Sequence, residues 1–274
     1  MPTFAAPDGA NLYYTDKGSG LPLLMLSGLT RNGTDFDYLV PHLSDVRIIR
    51  LDYRGRGKSE WTGAETYTVP TESADVVALL DHLNIDKAAV LGTSRGGLVA
   101  MVLAATAKAR LAGVCLNDIG PELMTEGLES IFDYIGRNPS STTFEDAAVA
   151  WAAHIKGFAN VAEERWLEEV ERRFNNTPDG LVINYDSELR TAALAANEAQ
   201  PPDLWPLFDC FAELPLALIR GANSDLLSKA TADAMADRRP DMIRTDVPDR
   251  GHVPFLDEPE AIGVIKQWLE RLDD

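Results

Sequence analysis

Histidine and cysteine are scarce in this 274-residue sequence, basic side chains are outnumbered, and no long apolar run occurs. The two cysteines, Cys115 and Cys210, stand in no metal-ligand or redox spacing, so both read as structural and no metal or cofactor is expected. No stretch approaches the roughly 18–20 apolar residues that span a bilayer, which excludes a membrane partner. The first residues, Met1 to Gly20, have neither a basic start nor an apolar h-region; no signal peptide is visible, and a cytoplasmic location is expected. Lys and Arg number 25 against 43 Asp and Glu, a net charge of −18. Phosphate backbones would meet a repulsive field, so nucleic acid is excluded as a partner. The scarcity of histidine is useful too. Only His42, His82, His154 and His252 can serve as a general base.

What is present is alternation. Strands are expected at 11–17, 22–26, 47–51, 88–91 and 113–116, then at 216–220 and 242–247. Between them lie helical patterns at 34–43, 70–83, 96–107, 228–237 and 259–272. Such alternation implies a mostly parallel sheet covered by helices on both faces. From Pro121 to about Trp205 the rhythm changes to helical patterns (125–136, 143–158, 163–174) with no convincing strand. This predicts a core of residues 1–120 and 206–274 interrupted by a helical cap of residues 121–205.

The decisive segment is Val90-Leu91-Gly92-Thr93-Ser94-Arg95-Gly96-Gly97, a buried strand running into Gly-x-Ser-x-Gly with a helix directly after. The chain must reverse within a few residues, and the flanking glycines let backbones approach without Cβ clashes. Ser94 is thereby presented at the positive end of a helix, where developing negative charge is favoured. A serine hydroxyl needs a base, and the base an orienting carboxylate. His42 and His82 end surface helices and His154 lies within the cap pattern. His252 follows the last strand, at the same sheet edge as Ser94. Two aspartates compete for the third place. Asp225 follows the penultimate strand and is favoured; Asp118, after the strand before the insertion, is left to shape the pocket or cap a helix. Backbone N–H groups of Leu29 and Arg95 are expected to form the oxyanion hole, each donor contributing about 3–4 kcal/mol to the transition state.

With these residues in view, the chain resembles the α/β-hydrolase superfamily, in its helical-cap esterase, lactonase and C–C hydrolase branch. The resemblance runs from about Phe4 to Leu272. It rests on Ser27-Gly28-Leu29, the loop Asp52-Tyr53-Arg54-Gly55-Arg56-Gly57-Lys58-Ser59, the serine elbow, Asp225 and Gly251-His252. It implies an α/β-hydrolase fold, with a mostly parallel eight-stranded sheet. Many members carry His-Gly where this chain has Ser27-Gly28: the backbone donor survives, but a side-chain hydrogen bond is lost. Serine at the elbow sets aside haloalkane dehalogenases and epoxide hydrolases, which use aspartate there.

The expected activity is hydrolysis of a small carboxylic ester or lactone through an acyl-enzyme. C–C bond hydrolysis of a diketone-type intermediate is the alternative, followed by a slow-turnover ligand receptor and a cofactor-free oxygenase. Tyr134 and Trp151, with Met124, Phe132, Phe158, Trp166 and Tyr185, are candidates to line an apolar pocket, although aromatics at helical spacing more often build cap cores. The cap region carries 16 acidic and 6 basic residues, −10 of the total charge. An acidic lid favours a neutral or weakly charged substrate, while Arg31 or Arg95 offers a small acid a local partner. Both also read as plain structural arginines.

Overall fold

The computed structural model describes residues 1–198 and 202–272. The chain opens with β1 (Thr3–Ala5) and β2 (Asn11–Gly18), paired antiparallel. Then follow β3 (Leu21–Leu26), β4 (Val46–Leu51), α1 (Val69–His82), β5 (Ala88–Thr93), α2 (Arg95–Thr106) and β6 (Leu111–Asn117). The insertion holds α3 (Thr125–Tyr134), α4 (Phe144–His154) and α5 (Glu163–Arg173). It continues through a hairpin of β7 (Phe174–Thr177) and β8 (Gly180–Ile183), then α6 (Leu189–Glu198); α7 (Trp205–Asp209) follows, its Phe208 packed in the core. The core resumes with β9 (Leu216–Gly221), α8 (Lys229–Arg238), β10 (Ile243–Val247) and α9 (Pro259–Glu270).

Eight strands form one sheet in the order β1-β2-β4-β3-β5-β6-β9-β10, parallel from β4 onward. All six residues of β5 are buried, and alternate ones serve opposite faces. Ala88 and Val90 join one apolar cluster with Leu24 and Leu26, whereas Ala89 and Leu91 join the other with Leu23 and Met25. That period of two, with no polar face, is the signature of a strand covered by helices on both sides. Helices therefore flank the sheet, and the carboxyl ends of its parallel strands share one edge, where ligands bind in open α/β sheets.

Three segments differ from the sequence expectation. Residues 34–43 form two short 3-10 turns, Gly33–Phe36 and Val40–His42, instead of a helix. Asn32 caps the first through the Thr34 N–H, and Pro41, which has no N–H to donate, sits in the second. The apolar periodicity was still meaningful, since Phe36 and Leu39 are buried. The insertion contains the β7–β8 hairpin, turned at Pro178-Asp179 just before Gly180, a turn sequence whose flanking strands are only four residues each. The three-residue β1 also lay below what pattern reading resolves. Among the described residues, no helix is long and apolar enough to cross a membrane.

Candidate active site

The elbow follows from steric necessity at two glycines. A Cβ on Gly96 would lie 2.1 Å from the Leu26 carbonyl oxygen, and one on Gly92 would lie 2.6 Å from the backbone of Gly96. Only glycine lets α2 start this close to β3 and β5. Between them Ser94 takes φ 51°, ψ −114°, in the left-handed half of backbone space that L-residues avoid. Its Oγ lies 2.9 Å from His252 Nε2.

Asp118, not Asp225, completes the line. His252 Nδ1 is 2.7 Å from Asp118 Oδ2. Asp118 is wholly buried and also accepts the Gly221 N–H at 2.8 Å and the Ser224 hydroxyl at 2.6 Å. Its own backbone turns at φ 54° immediately beyond β6, the neighbour of the strand bearing Ser94. The preference for Asp225 is therefore overturned. That carboxylate is half-buried and accepts a 3.3 Å hydrogen bond from Ser130 of the cap. Its neighbour Ser224 points instead at Asp118, and the Ser224 hydroxyl in turn accepts the N–H groups of Leu226 and Leu227. The role of Ser224 was not foreseen, and no spacing rule would have exposed it. Ser94, His252 and Asp118 form a Ser-His-Asp triad. The remaining histidines lie apart from it: His42 and His82 close a 3-10 turn and α1, and His154 ends α4.

A buried ionic network underlies the elbow. Glu72, inside the first turns of α1, lies 2.7 Å from Arg56 Nη1 and accepts Arg95 Nε at 2.6 Å. Burial works against the Glu72 charge, but Arg56 and Arg95 outweigh it and hold the carboxyl below its usual range. Arg56 Nε donates to the Leu29 carbonyl at 2.9 Å, and Arg95 Nη2 to the Tyr67 carbonyl at 2.9 Å. One carboxylate thus braces both segments from which oxyanion donors were expected. The Arg95 guanidinium is consumed in this network and is not among the residues lining the cleft, so of its two readings the structural arginine is the one that holds. Ser27 is buried, and its Oγ has no hydrogen-bond partner among the described residues, the consequence of serine at that position.

Above the triad a cleft opens between the sheet edge and the cap. Gly28, Leu29 and Arg31 line it beside Ser94 and His252, and Tyr134 and Trp151 face it from α3 and α4. Phe158 and Trp166 join that wall, whereas Met124, Phe132 and Tyr185 do not. Arg31 meets that expectation. Its companions are Asp35, from the 3-10 turn Gly33–Phe36, and Glu169 and Arg173 of α5, whose acidic and basic run reads as a solvated face.

Residues 22–259 match the family described as alpha/beta hydrolase fold, and the chain belongs to that family. A 3-hydroxybutyrate-oligomer hydrolase of Cupriavidus necator is 35% identical over 261 residues, spanning 90% of this chain and 87% of its own. A 2-(acetamidomethylene)succinate hydrolase of Mesorhizobium japonicum is 28% identical over 249 residues, spanning 89% and 86%. The crystal structure of an alpha/beta hydrolase from Novosphingobium aromaticivorans superposes with a TM-score of 0.91 at 36% identity, covering 98% of this chain and 97% of that one. Fold, triad and relatives together define a hydrolase.

Proposed function

We propose that the protein hydrolyses a small carboxylic ester or lactone through an acyl-enzyme on Ser94. The observation that carries this reading is the hydrogen-bonded line from Ser94 Oγ through His252 to a buried Asp118. His252 Nε2 takes the hydroxyl proton as Oγ bonds to the carbonyl carbon, and Asp118 stabilises the imidazolium. The N–H groups of Leu29 and Arg95 receive the oxyanion, with the Glu72 network keeping their segments in place. His252 then passes the proton to the leaving oxygen as the C–O bond breaks. Water, deprotonated by the same imidazole, attacks the acyl-enzyme, releases the acid and restores Ser94.

The relative named for hydrolysing a hydroxy-acid oligomer supports an ester over a C–C bond as the target. The two free cysteines suit a reducing, cytoplasmic setting. The test is a steady-state screen of p-nitrophenyl esters of rising acyl length beside several lactones. Turnover by the wild type, reduced at least about 10³-fold in Ser94→Ala, is expected. Covalent labelling of Ser94 without turnover across the panel would instead favour the receptor reading.

A further inference from the structure

Two guanidinium groups on the wall of the catalytic cleft each keep a buried N–H that no atom among the described residues accepts. Arg31 directs Nε to Asp35 and Nη2 to both Asp35 and Glu169, while Nη1 is buried without a partner. Arg173 gives Nη2 to Glu169 at 3.3 Å, and its Nε is likewise buried and unpartnered. Both residues line the cleft that contains Ser94 and His252. The stem of Arg31 stands beside the nucleophile. A Cβ placed on Gly28 would lie 3.5 Å from Arg31 Cγ and 3.8 Å from Ser94 Cβ, so the arginine stem and the nucleophile flank the same glycine.

The cluster is also rigidly held. Glu169 is 3% exposed and bridges the two guanidinium groups. Arg173 Cζ lies 4.3 Å from the Trp151 ring centroid, and Trp151 packs edge-on against Tyr134 at 5.3 Å. An unmatched buried donor is costly, and a charged fork of N–H groups is matched best by a planar carboxylate.

We infer that Arg31 and Arg173 form a carboxylate-binding subsite, so that the preferred substrate bears a free carboxylate in addition to the bond that Ser94 attacks. This rests on the hydrolytic reading of Ser94 but assigns a different part of the cleft. Two acidic side chains already face the pair, and they are not equivalent. Burial pushes the Asp35 carboxyl up despite Arg31, whereas Arg31 and Arg173 overcome burial and hold Glu169 down. Glu169 is therefore the anchoring charge of the cluster, and the unpartnered donors remain for a ligand. Because the chain as a whole is strongly acidic, the preference arises from desolvated local contacts rather than from long-range attraction.

The test is isothermal titration calorimetry of the full chain with glutarate and with its uncharged diamide. The expected Kd for glutarate is at least about ten-fold lower than for the diamide, in keeping with a charge-assisted pair. Arg173→Met should bring the two ligands within about two-fold of each other, and Arg173→Lys should restore part of the preference. Far-UV circular dichroism reports whether each variant is folded, and the lysine variant keeps the test decisive if the methionine variant is not. Equal binding of the two ligands by the wild type, or wild-type discrimination by Arg173→Met, would overturn the assignment. Failure of the hydrolytic reading looks different: the glutarate preference would persist while no ester or lactone is turned over.

Discussion

The carboxyl ends of β6 and β9 each present an aspartate to the same sheet edge, and the two have opposite fates. Asp118, after β6, has no exposed surface and receives His252, the Gly221 N–H and the Ser224 hydroxyl. Asp225, after β9, is half-buried and meets the cap through one long hydrogen bond from Ser130. Chain order Ser, Asp, His is compatible with either. What distinguishes them is enclosure: a carboxylate can orient a histidine only where it is held by several donors and shielded from water. The loop after β9 still contributes, but through Ser224, which secures the acid supplied by β6.

The largest expected effect tests that asymmetry. Asp118→Asn should lower kcat on a p-nitrophenyl ester by about 10³–10⁴-fold, with Asp225→Asn within about three-fold of wild type. Next is Ser224→Ala, which removes a hydrogen bond to a buried charge worth about 1.5–3 kcal/mol and should reduce kcat about ten-fold or more, with a lower Tm. An unchanged kcat would mean that Gly221 alone suffices to hold Asp118. Ser130→Ala severs the Asp225 contact and should move stability by less than about 1 kcal/mol in denaturant titration, with kcat within about two-fold. The thiols give the smallest signal. Cys115 is buried within β6, where burial pushes its thiol well up, whereas Cys210 is partly accessible before β9. One thiol per chain, Cys210, should react with an aromatic disulfide reagent in the native protein, and both after unfolding.

Much of this was legible in the residues themselves. Gly92-Thr93-Ser94-Arg95-Gly96 fixes the nucleophile because only glycine tolerates the approaches measured there, and His252 was reachable by elimination among four histidines. The acid was not legible, since Asp118 and Asp225 have the same local context, a buried strand followed by a loop. The choice is made by contacts to Ser224 and His252, more than 100 positions away along the chain. The wall of the cleft was hidden for a related reason. Glu169 and Arg173 sit in Glu-Glu-Arg-Trp-Leu-Glu-Glu-Val-Glu-Arg-Arg, whose charge density suggests water on every side, yet Trp166, Glu169 and Val170 are buried.

The most direct measurement is the rate at which a fluorophosphonate labels Ser94, which reads activation of the serine without requiring knowledge of the substrate. Wild type and Asp225→Asn should label at the same rate, Asp118→Asn at least about 100-fold more slowly, and Ser94→Ala not at all. Wild-type labelling of Asp118→Asn together with slowed labelling of Asp225→Asn would contradict the account.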